Sequence, residues 1–211
     1  MIKKIFFLVI TLFIGTIQAQ EAKQLLDEVS AKVKSYDNIV IGFKYALNNP
    51  AENVSQETRG DVTLSGDRYV LNLTGTKQIY DGNKLYMIIP EDEEINISSQ
   101  NPEDEASVTP AKMLTFYEEG YTYKMDITQD AQGRKIQFVK LTPIDSKSEF
   151  KEILLGIDKQ TKHIYKMILM QNNGSNITIT INSFKTNQPL SNTLFVFNES
   201  KYKDYYINRL D

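Results

Sequence analysis

Acidic side chains are the densest source of possible chemistry in this sequence. Residues 91–94 form one run of four acids, and residues 103–105 form another run of three. Clustered carboxylates can ligate a hard cation such as Ca²⁺, but neither run has the spacing of an EF-hand loop. We interpret both runs as solvated loop charge and predict no metal site and no cofactor. An acid pair for glycoside hydrolysis depends on a distance in space, so the sequence leaves that chemistry open.

Other catalytic residue types are scarce or wrongly spaced. The chain has no cysteine, which excludes a thiolate nucleophile, a disulfide framework and a Cys-ligated metal. The single histidine, His163, excludes a multi-His metal site, and we place it on the surface at the start of a strand. There is no G-x-S-x-G nucleophile elbow. The glycines at 60, 66, 75 and 82 have the spacing of turn residues rather than of a phosphate-binding loop. We therefore predict that the protein is not an enzyme.

Composition favours one ordinary globular domain. The 211 residues are 41% hydrophobic and 24% charged, which fits neither a disordered chain nor a multispan membrane protein. The formal net charge is −3 and no Lys/Arg cluster is present. Nucleic acid is therefore not an expected partner.

The first nineteen residues have the pattern of a secretory signal peptide. Lys3 and Lys4 form the positive n-region, and residues 5–15 form the apolar core. Ala19 is the small residue expected at the cleavage site. The apolar run is shorter than the roughly 20 residues of a membrane span, which argues against the alternative of an uncleaved anchor. We predict an exported domain of residues 20–211 without a lipid-modified cysteine, and export without disulfides favours the periplasm of a Gram-negative envelope.

Hydrophobic periodicity predicts two helices. Residues 21–35 carry one apolar stripe at helical spacing. The stripe consists of Ala22, Leu25, Leu26, Val29 and Val33. A second helix of about two turns is predicted over residues 110–119, with Thr109 as its N-cap and Pro110 at its first position. Gly120 ends this helix.

Most of the remaining chain alternates with period two and predicts short strands. The predicted strands are Ile39–Leu47, Thr58–Leu64, Arg68–Thr74, Gln78–Tyr80, Lys84–Ile89, Glu94–Ser98, Tyr121–Gln129, Arg134–Thr142, Phe150–Asp158, His163–Gln171, Ser175–Lys185 and Leu194–Phe197. Frequent turns and only two short helices predict a mainly β chain with one antiparallel sheet. Such a large open sheet must curl strongly, so it has a concave apolar face that the two helices could cover.

Three local strings occur in a specific order along this pattern. Gly60-Asp61-Val62 opens a strand. Residues 81–90 (DGNKLYMIIP) are similar to a D-G-x-x-L-W-x-Y-x-P stretch, with Tyr86 at an aromatic position and Glu93 at the expected distance. Residues 109–114 (TPAKML) are similar to a T-P-x-x-L lid helix. In this order, the strings resemble the LolA family of outer-membrane lipoprotein carriers.

The resemblance implies a half-open β-barrel, which is a strongly curved antiparallel sheet with a helical lid over its concave apolar face. It also implies a periplasmic carrier that binds the acyl chains of lipoproteins as cargo. An inner-membrane lipoprotein-releasing ABC transporter would supply the cargo, and an outer-membrane acceptor would receive it. We expect a monomer.

An arginine latch is a further feature implied by the resemblance. In the family, an arginine on the strand that begins Gly-Asp bonds to the lid backbone and holds the lid shut. The matching position falls near Ser65 and Gly66 in this chain. The nearest arginine is Arg68, and Arg59 is the other candidate.

The predicted acyl-chain cavity combines residues of both helices with one face of several strands. The predicted lining residues are Leu25, Leu26, Val29, Val33, Ile39, Ile41, Phe43, Val62, Leu64, Tyr69, Leu71, Tyr86, Ile88, Met113, Leu114, Phe116 and Tyr117. The phase of each strand is taken from alternation alone, and a slip of one residue would reverse a whole set.

Three alternatives are left open. The first is a lipoprotein-sensing module that regulates a signalling protein, which would normally need a second domain for its partner. The second is a carrier of a different lipid or hydrophobic metabolite. The third is an enzyme with scattered acidic catalysts.

Overall fold

The computed structural model describes residues 19–99 and 109–210. The predicted signal peptide, apart from residue 19, lies outside these ranges, and so does the acidic run of residues 103–105. Helix α1 occupies residues 19–34, in agreement with the first predicted helix. Within the described ranges, no helix is both long and apolar enough to cross a membrane.

Strands make up 54% of the described residues and form one sheet. The twelve strands in the described ranges are β1 (Ile39–Asn49), β2 (Val54–Ser65), β3 (Arg68–Leu73), β4 (Thr76–Tyr80), β5 (Lys84–Ile89), β6 (Glu94–Ser99), β7 (Tyr121–Ala131), β8 (Arg134–Pro143), β9 (Phe150–Asp158), β10 (Ile164–Gln171), β11 (Asn176–Thr186) and β12 (Tyr206–Arg209). Their order in the sheet is β12-β6-β5-β4-β3-β2-β1-β11-β10-β9-β8-β7. Strands β2 to β6 and β7 to β10 pair antiparallel in succession, whereas β12 lies parallel to β6. The predicted fold class, mainly β with one largely antiparallel sheet, is confirmed.

The last predicted strand, Leu194–Phe197, is wrong. These residues form a turn followed by irregular chain, in which the Leu194 N–H donates to the Ser191 carbonyl at 3.0 Å. The final strand is β12, which lies in the polar aromatic tail. A run of four apolar residues indicates burial, but it does not distinguish a strand from a buried turn. Phe195 in this run is buried.

The second predicted helix is also wrong, because two single turns of 3₁₀ helix replace it. These turns are Lys112–Leu114 and Phe116–Glu118. The Thr109 hydroxyl accepts a hydrogen bond from the Lys112 N–H at 3.2 Å, as an N-cap does. Thr115, with φ −136°, separates the two turns. A β-branched residue followed by aromatic residues has low helix propensity, and so short a helix is marginal.

The described residues divide into two compact units. The first unit comprises residues 19–34, 47–55 and 116–179. The second unit comprises residues 35–46, 56–99, 109–115 and 180–210. Strands β1, β2 and β11 contribute residues to both units. The predicted single domain over residues 20–211 stays a prediction.

In the first unit, a buried hydrogen bond joins α1 to the second 3₁₀ turn. The Ser30 hydroxyl donates to the Tyr117 oxygen at 3.1 Å, and both side chains are buried. Tyr123 on β7 donates its hydroxyl hydrogen to the Tyr117 carbonyl at 2.8 Å. Lys34 and Glu118 add an exposed ion pair at 2.5 Å. These contacts tie the helix, the turn and the sheet of this unit together.

The sheet of the first unit has one face that is apolar apart from the buried Gln137, which pairs with Ile157. Cross-strand pairing on β8, β9 and β10 places its members in adjacent rows. The buried members are Val139, Leu141, Ile153, Leu155, Ile157, Met167 and Leu169. This row of aliphatic side chains forms the core of the unit.

The Ser30–Tyr117 contact leads to a stability prediction. We expect Ser30→Ala to lower the free energy of unfolding by about 1–2 kcal/mol, because the buried Tyr117 hydroxyl loses a partner. Gln24→Ala, on the exposed side of the same helix, should change it by less than about 0.5 kcal/mol. Urea denaturation of both variants measures the difference. Equal effects would show that the buried hydrogen bond contributes nothing.

The pKa of Tyr117 leads to a pH prediction. Burial raises the pKa of the Tyr117 hydroxyl from the ordinary value of 10.0 to about 12. The folded state therefore holds this proton more tightly than the unfolded state does. The stability from this shift is complete below pH 10 and is lost as the pH rises through about 12.

We accordingly expect the free energy of unfolding of the wild-type protein to fall more steeply between these pH values than that of Tyr117→Phe. The difference in slope should be up to about 1.4 kcal/mol per pH unit. Denaturation curves at a series of alkaline pH values measure both slopes. Parallel slopes would contradict the shift.

Candidate functional site

Strand register in the second unit defines two faces on β2 to β6. Leu64 pairs with Tyr69, Tyr69 with Tyr80, and Tyr80 with Leu85, so these four side chains form one row. The next row on the same face, two residues along each strand, is Val62, Leu71, Gln78 and Met87. We call these two rows the Tyr69 face.

The opposite surface, the Val70 face, is also apolar. Register places its members on β3 to β6. They are Val70, Ile79, Tyr86, Ile88, Ile95 and Ile97. Two predicted cavity residues, Tyr86 and Ile88, therefore lie on the face opposite Tyr69 and Leu71. The phase predicted for β5 is wrong, because its run of apolar residues has no alternation from which to choose a face.

The C-terminal segment, residues 190–210, covers the Val70 face. Phe195 is buried in the same apolar cluster as Val70. The ring of Phe197 stacks on Tyr86 with a centroid distance of 4.5 Å, and Tyr202 stacks on Phe197 at 5.6 Å. This face is thus occupied by the chain itself.

Arg68, the predicted latch, contacts the C-terminal segment. Its guanidinium carbon lies 4.9 Å from the ring centroid of Phe195, which is a cation–π distance. Arg59, the other candidate, has an exposed side chain on β2. Among the described residues, neither arginine has a contact that supports a latch, so that role stays a prediction.

The Tyr69 face is deeply buried in one row and more open in the next. Leu64, Tyr69, Tyr80 and Leu85 are buried. Leu71, Gln78 and Met87 are half-buried, and only Val62 of their row is buried. The face therefore has an apolar interior row beside a row that remains accessible. Tyr80, Leu85 and Met87 also lie on this face, although none of them is among the predicted lining residues.

Strand β1 adds an aromatic ring to the same face. A Cβ atom on Gly60 would lie 2.6 Å from Cζ of Phe43, so the Phe43 ring lies directly over this glycine. Gly60 shares a face with Val62 by alternation along β2. Phe43, and with it Ile39 and Ile41 by the same alternation, therefore belongs to the Tyr69 face. Any side chain larger than hydrogen at residue 60 would displace that ring.

Tyr69 and Tyr80 are two hydroxyl-bearing side chains in the buried row. Their ring centroids are 5.6 Å apart. Burial, together with the neighbouring Tyr80, raises the pKa of Tyr69 to about 12. The Tyr80 hydroxyl is the one buried side-chain polar atom in the described part of the chain that has no hydrogen-bond partner.

The other predicted cavity residues are divided between the units. Leu114 is buried and Met113 half-buried in the second unit. Tyr117 is buried and Phe116 half-buried in the first unit. The α1 residues Leu25, Leu26 and Val29 are buried and Val33 is half-buried, also in the first unit. That all of them line one cavity stays a prediction.

Metal-binding geometry is not found in the described ranges. No group of three or more His, Asp or Glu side chains there is placed to hold a metal ion. The acidic run at residues 91–94 forms the turn between β5 and β6. The Tyr69 face consists of apolar side chains, two tyrosines and Gln78.

Solved structures with a similar fold are bacterial proteins of low sequence identity. An uncharacterized conserved protein from Thermus thermophilus has a TM-score of 0.56 and 11% identity, over 90% of this chain and 99% of its own. Lipoprotein LppX from Mycobacterium tuberculosis has a TM-score of 0.52 and 13% identity, over 82% and 98%. LprF from Mycobacterium bovis has a TM-score of 0.51 and 13% identity, over 82% and 96%. These likenesses show the fold alone.

A family model gives the more direct comparison. No curated protein matches the chain. The model described as outer membrane lipoprotein carrier protein LolA matches residues 34–198, which is most of the sequence. The matched range includes all three strings from which the resemblance was inferred, and it covers β1 to β11. The chain belongs to the LolA family.

Proposed function

We propose that the protein is a carrier that binds the acyl chains of lipoproteins on its Tyr69 face. The observation that carries this proposal is the difference between the two apolar faces of β2 to β6. The C-terminal segment covers the Val70 face, whereas the Tyr69 face presents half-buried Leu71 and Met87 beside a buried row. An apolar surface that the chain leaves accessible is a typical ligand or partner site.

An acyl chain suits this surface energetically. Burying a chain is worth about 0.8 kcal/mol per CH₂ group, so a few chains suffice to hold a lipid anchor in water. The accessible row includes the flexible side chain of Met87, and β1 adds the Phe43 ring to the same face, so both can adapt to an apolar ligand of variable shape. The function needs no catalyst, which agrees with a binding protein rather than an enzyme.

Cellular location and partners follow from the sequence and the family. The predicted signal peptide supports export to the periplasm of a Gram-negative bacterium. The name of the family supports a shuttle for lipoproteins released from the inner membrane. An inner-membrane ABC transporter would load the carrier, and an outer-membrane acceptor would unload it. Transfer in this direction requires weaker binding by the carrier than by the acceptor.

Release of a labelled lipoprotein from spheroplasts tests this function. Purified wild-type chain without residues 1–19 should bring the labelled lipoprotein into the soluble fraction. Leu71→Glu should reduce this release at least about 10-fold, because a carboxylate buried against acyl chains is strongly unfavourable. Thr63→Glu is the matched control, since Thr63 is half-buried on the neighbouring strand but pairs with Val70 on the covered side. It should release lipoprotein as the wild type does.

Two outcomes would contradict the carrier proposal. Undiminished release by Leu71→Glu would place the acyl chains elsewhere. Lipid binding by the wild type without any release of lipoprotein would instead support the alternative, a lipid-binding or lipoprotein-sensing module on the same fold. Circular dichroism of both variants distinguishes loss of function from loss of structure.

A further inference from the structure

The Tyr80 hydroxyl is a buried polar group without a partner among the described residues, in a row whose other members are Leu64, Tyr69 and Leu85. Tyr80 is 2% exposed, and its hydroxyl has no hydrogen-bond partner among the described residues. Its cross-strand neighbours in the row are Tyr69 and Leu85. A buried hydroxyl without a partner is unfavourable by about 1–3 kcal/mol, so native proteins rarely keep one without a reason.

The protonation state makes this hydroxyl a donor. Burial raises the pKa of Tyr80, and the negative charges of Asp67 and Asp81 raise it further. The group therefore keeps its proton at neutral pH and can donate it in a hydrogen bond. A neutral phenol hydroxyl can donate one hydrogen bond and accept another, and an acceptor is the partner that its O–H donor lacks among the described residues.

Nearby carboxylates determine which acceptor fits. Asp81 accepts hydrogen bonds from the N–H groups of Asn83 and Lys84, both at 2.8 Å, and from the Tyr86 hydroxyl at 3.0 Å. Burial alone would raise its pKa, but these hydrogen bonds outweigh burial and lower the pKa, so Asp81 is ionised. Together with Asp67, it makes the surroundings of Tyr80 negative. A second anion would be repelled there, whereas a neutral carbonyl oxygen would not.

Tyr80 lies close to the accessible row of the Tyr69 face. The row of Tyr80 is adjacent to the row of Leu71, Gln78 and Met87. The two rows are two residues apart along each strand, so their Cα atoms are about 7 Å apart. A ligand that lies on the accessible row therefore needs to extend by only a few bonds to bring an oxygen to Tyr80. Tyrosine is suited to this position because its ring is apolar and its hydroxyl is polar.

We propose that Tyr80 donates a hydrogen bond to the carbonyl oxygen of an ester- or amide-linked acyl chain bound on the Tyr69 face. This inference rests on the proposed function and specifies its ligand. The face would select neutral, linked acyl chains and discriminate against free fatty acids. Tyr80 is thus a specificity-determining residue.

Equilibrium binding of three fluorescent probes of equal chain length tests the proposal. The probes are a diacylglycerol, its dialkyl ether analogue and the corresponding fatty acid. The wild-type chain should bind the ester about 10-fold more tightly than the ether, because only the ester offers a carbonyl acceptor. Tyr80→Phe should bind the ester as weakly as the ether, with ether binding unchanged. The fatty acid should bind more weakly than the ester to the wild type.

Tyr86→Phe is the matched control variant. It removes the same atom from a tyrosine on the adjacent strand, but Tyr86 lies on the Val70 face and its hydroxyl already has Asp81 as a partner. It should keep the tenfold preference for the ester and lose stability in urea denaturation. Tyr80→Phe should show the reverse: loss of the preference with equal or higher stability.

Two outcomes would overturn this inference, and a third would refute the proposed function. A persistent ester preference in Tyr80→Phe would overturn the donor role, and it would be expected if a water molecule were the partner of the hydroxyl. Tighter binding of the fatty acid than of the ester would overturn the selection for neutral chains. Failure of the wild type to bind either the ester or the ether would refute the proposed function itself, which separates that failure from failure of this inference.

Discussion

The register of β2 to β5 is the constraint on which the candidate site depends. Tight turns after Ser65 and Tyr80 set the pairing, with Gly66 at φ 56° and Gly82 at φ 103° supplying backbone conformations that other residues rarely adopt. In the second of these turns, the Asp81 carboxylate accepts two backbone N–H groups. Because side chains alternate along a strand, a change of one residue in this pairing would exchange the two faces completely. The pairing thus places Tyr80 on the same face as Tyr69 and opposite to Val70.

Both faces of these strands are apolar, but they differ in what covers them. The C-terminal segment fills the Val70 face with stacked aromatic rings, and β12 pairs in parallel with β6, so that β12 is the outermost strand beside β6. Arg68 lies over Phe195 and contributes to the same attachment. Aromatic stacking and backbone hydrogen bonds together make this cover part of the fold rather than an adaptable surface. Half-buried apolar side chains such as Leu71 and Met87 then remain on the Tyr69 face.

Local patterns along the chain predicted most elements, and the errors share one cause. The apolar stripe of α1 and the alternation of strands such as β11 are visible within single segments. The helix predicted over residues 110–119 and the strand predicted at Leu194–Phe197 are wrong because short segments obtain their conformation from their neighbours. The first unit illustrates this dependence, since Tyr117 is fixed by Ser30 and Tyr123, which come from other elements of the unit.

The sequence by itself determined the β-rich class, the main turns and the family, since these depend on local periodicity and on short ordered strings. It also predicts the export signal. The face of β2 was also predictable, because Val62 and Leu64 alternate with the polar residues Asp61, Thr63 and Ser65. Tertiary structure alone decided the phase of β5, where Leu85 to Ile89 are all apolar and both registers satisfy the pattern equally well. It also decided which face the C-terminal segment covers and that the Tyr80 hydroxyl is buried without a partner among the described residues. Those facts depend on contacts between residues far apart in the chain, and no local pattern encodes them.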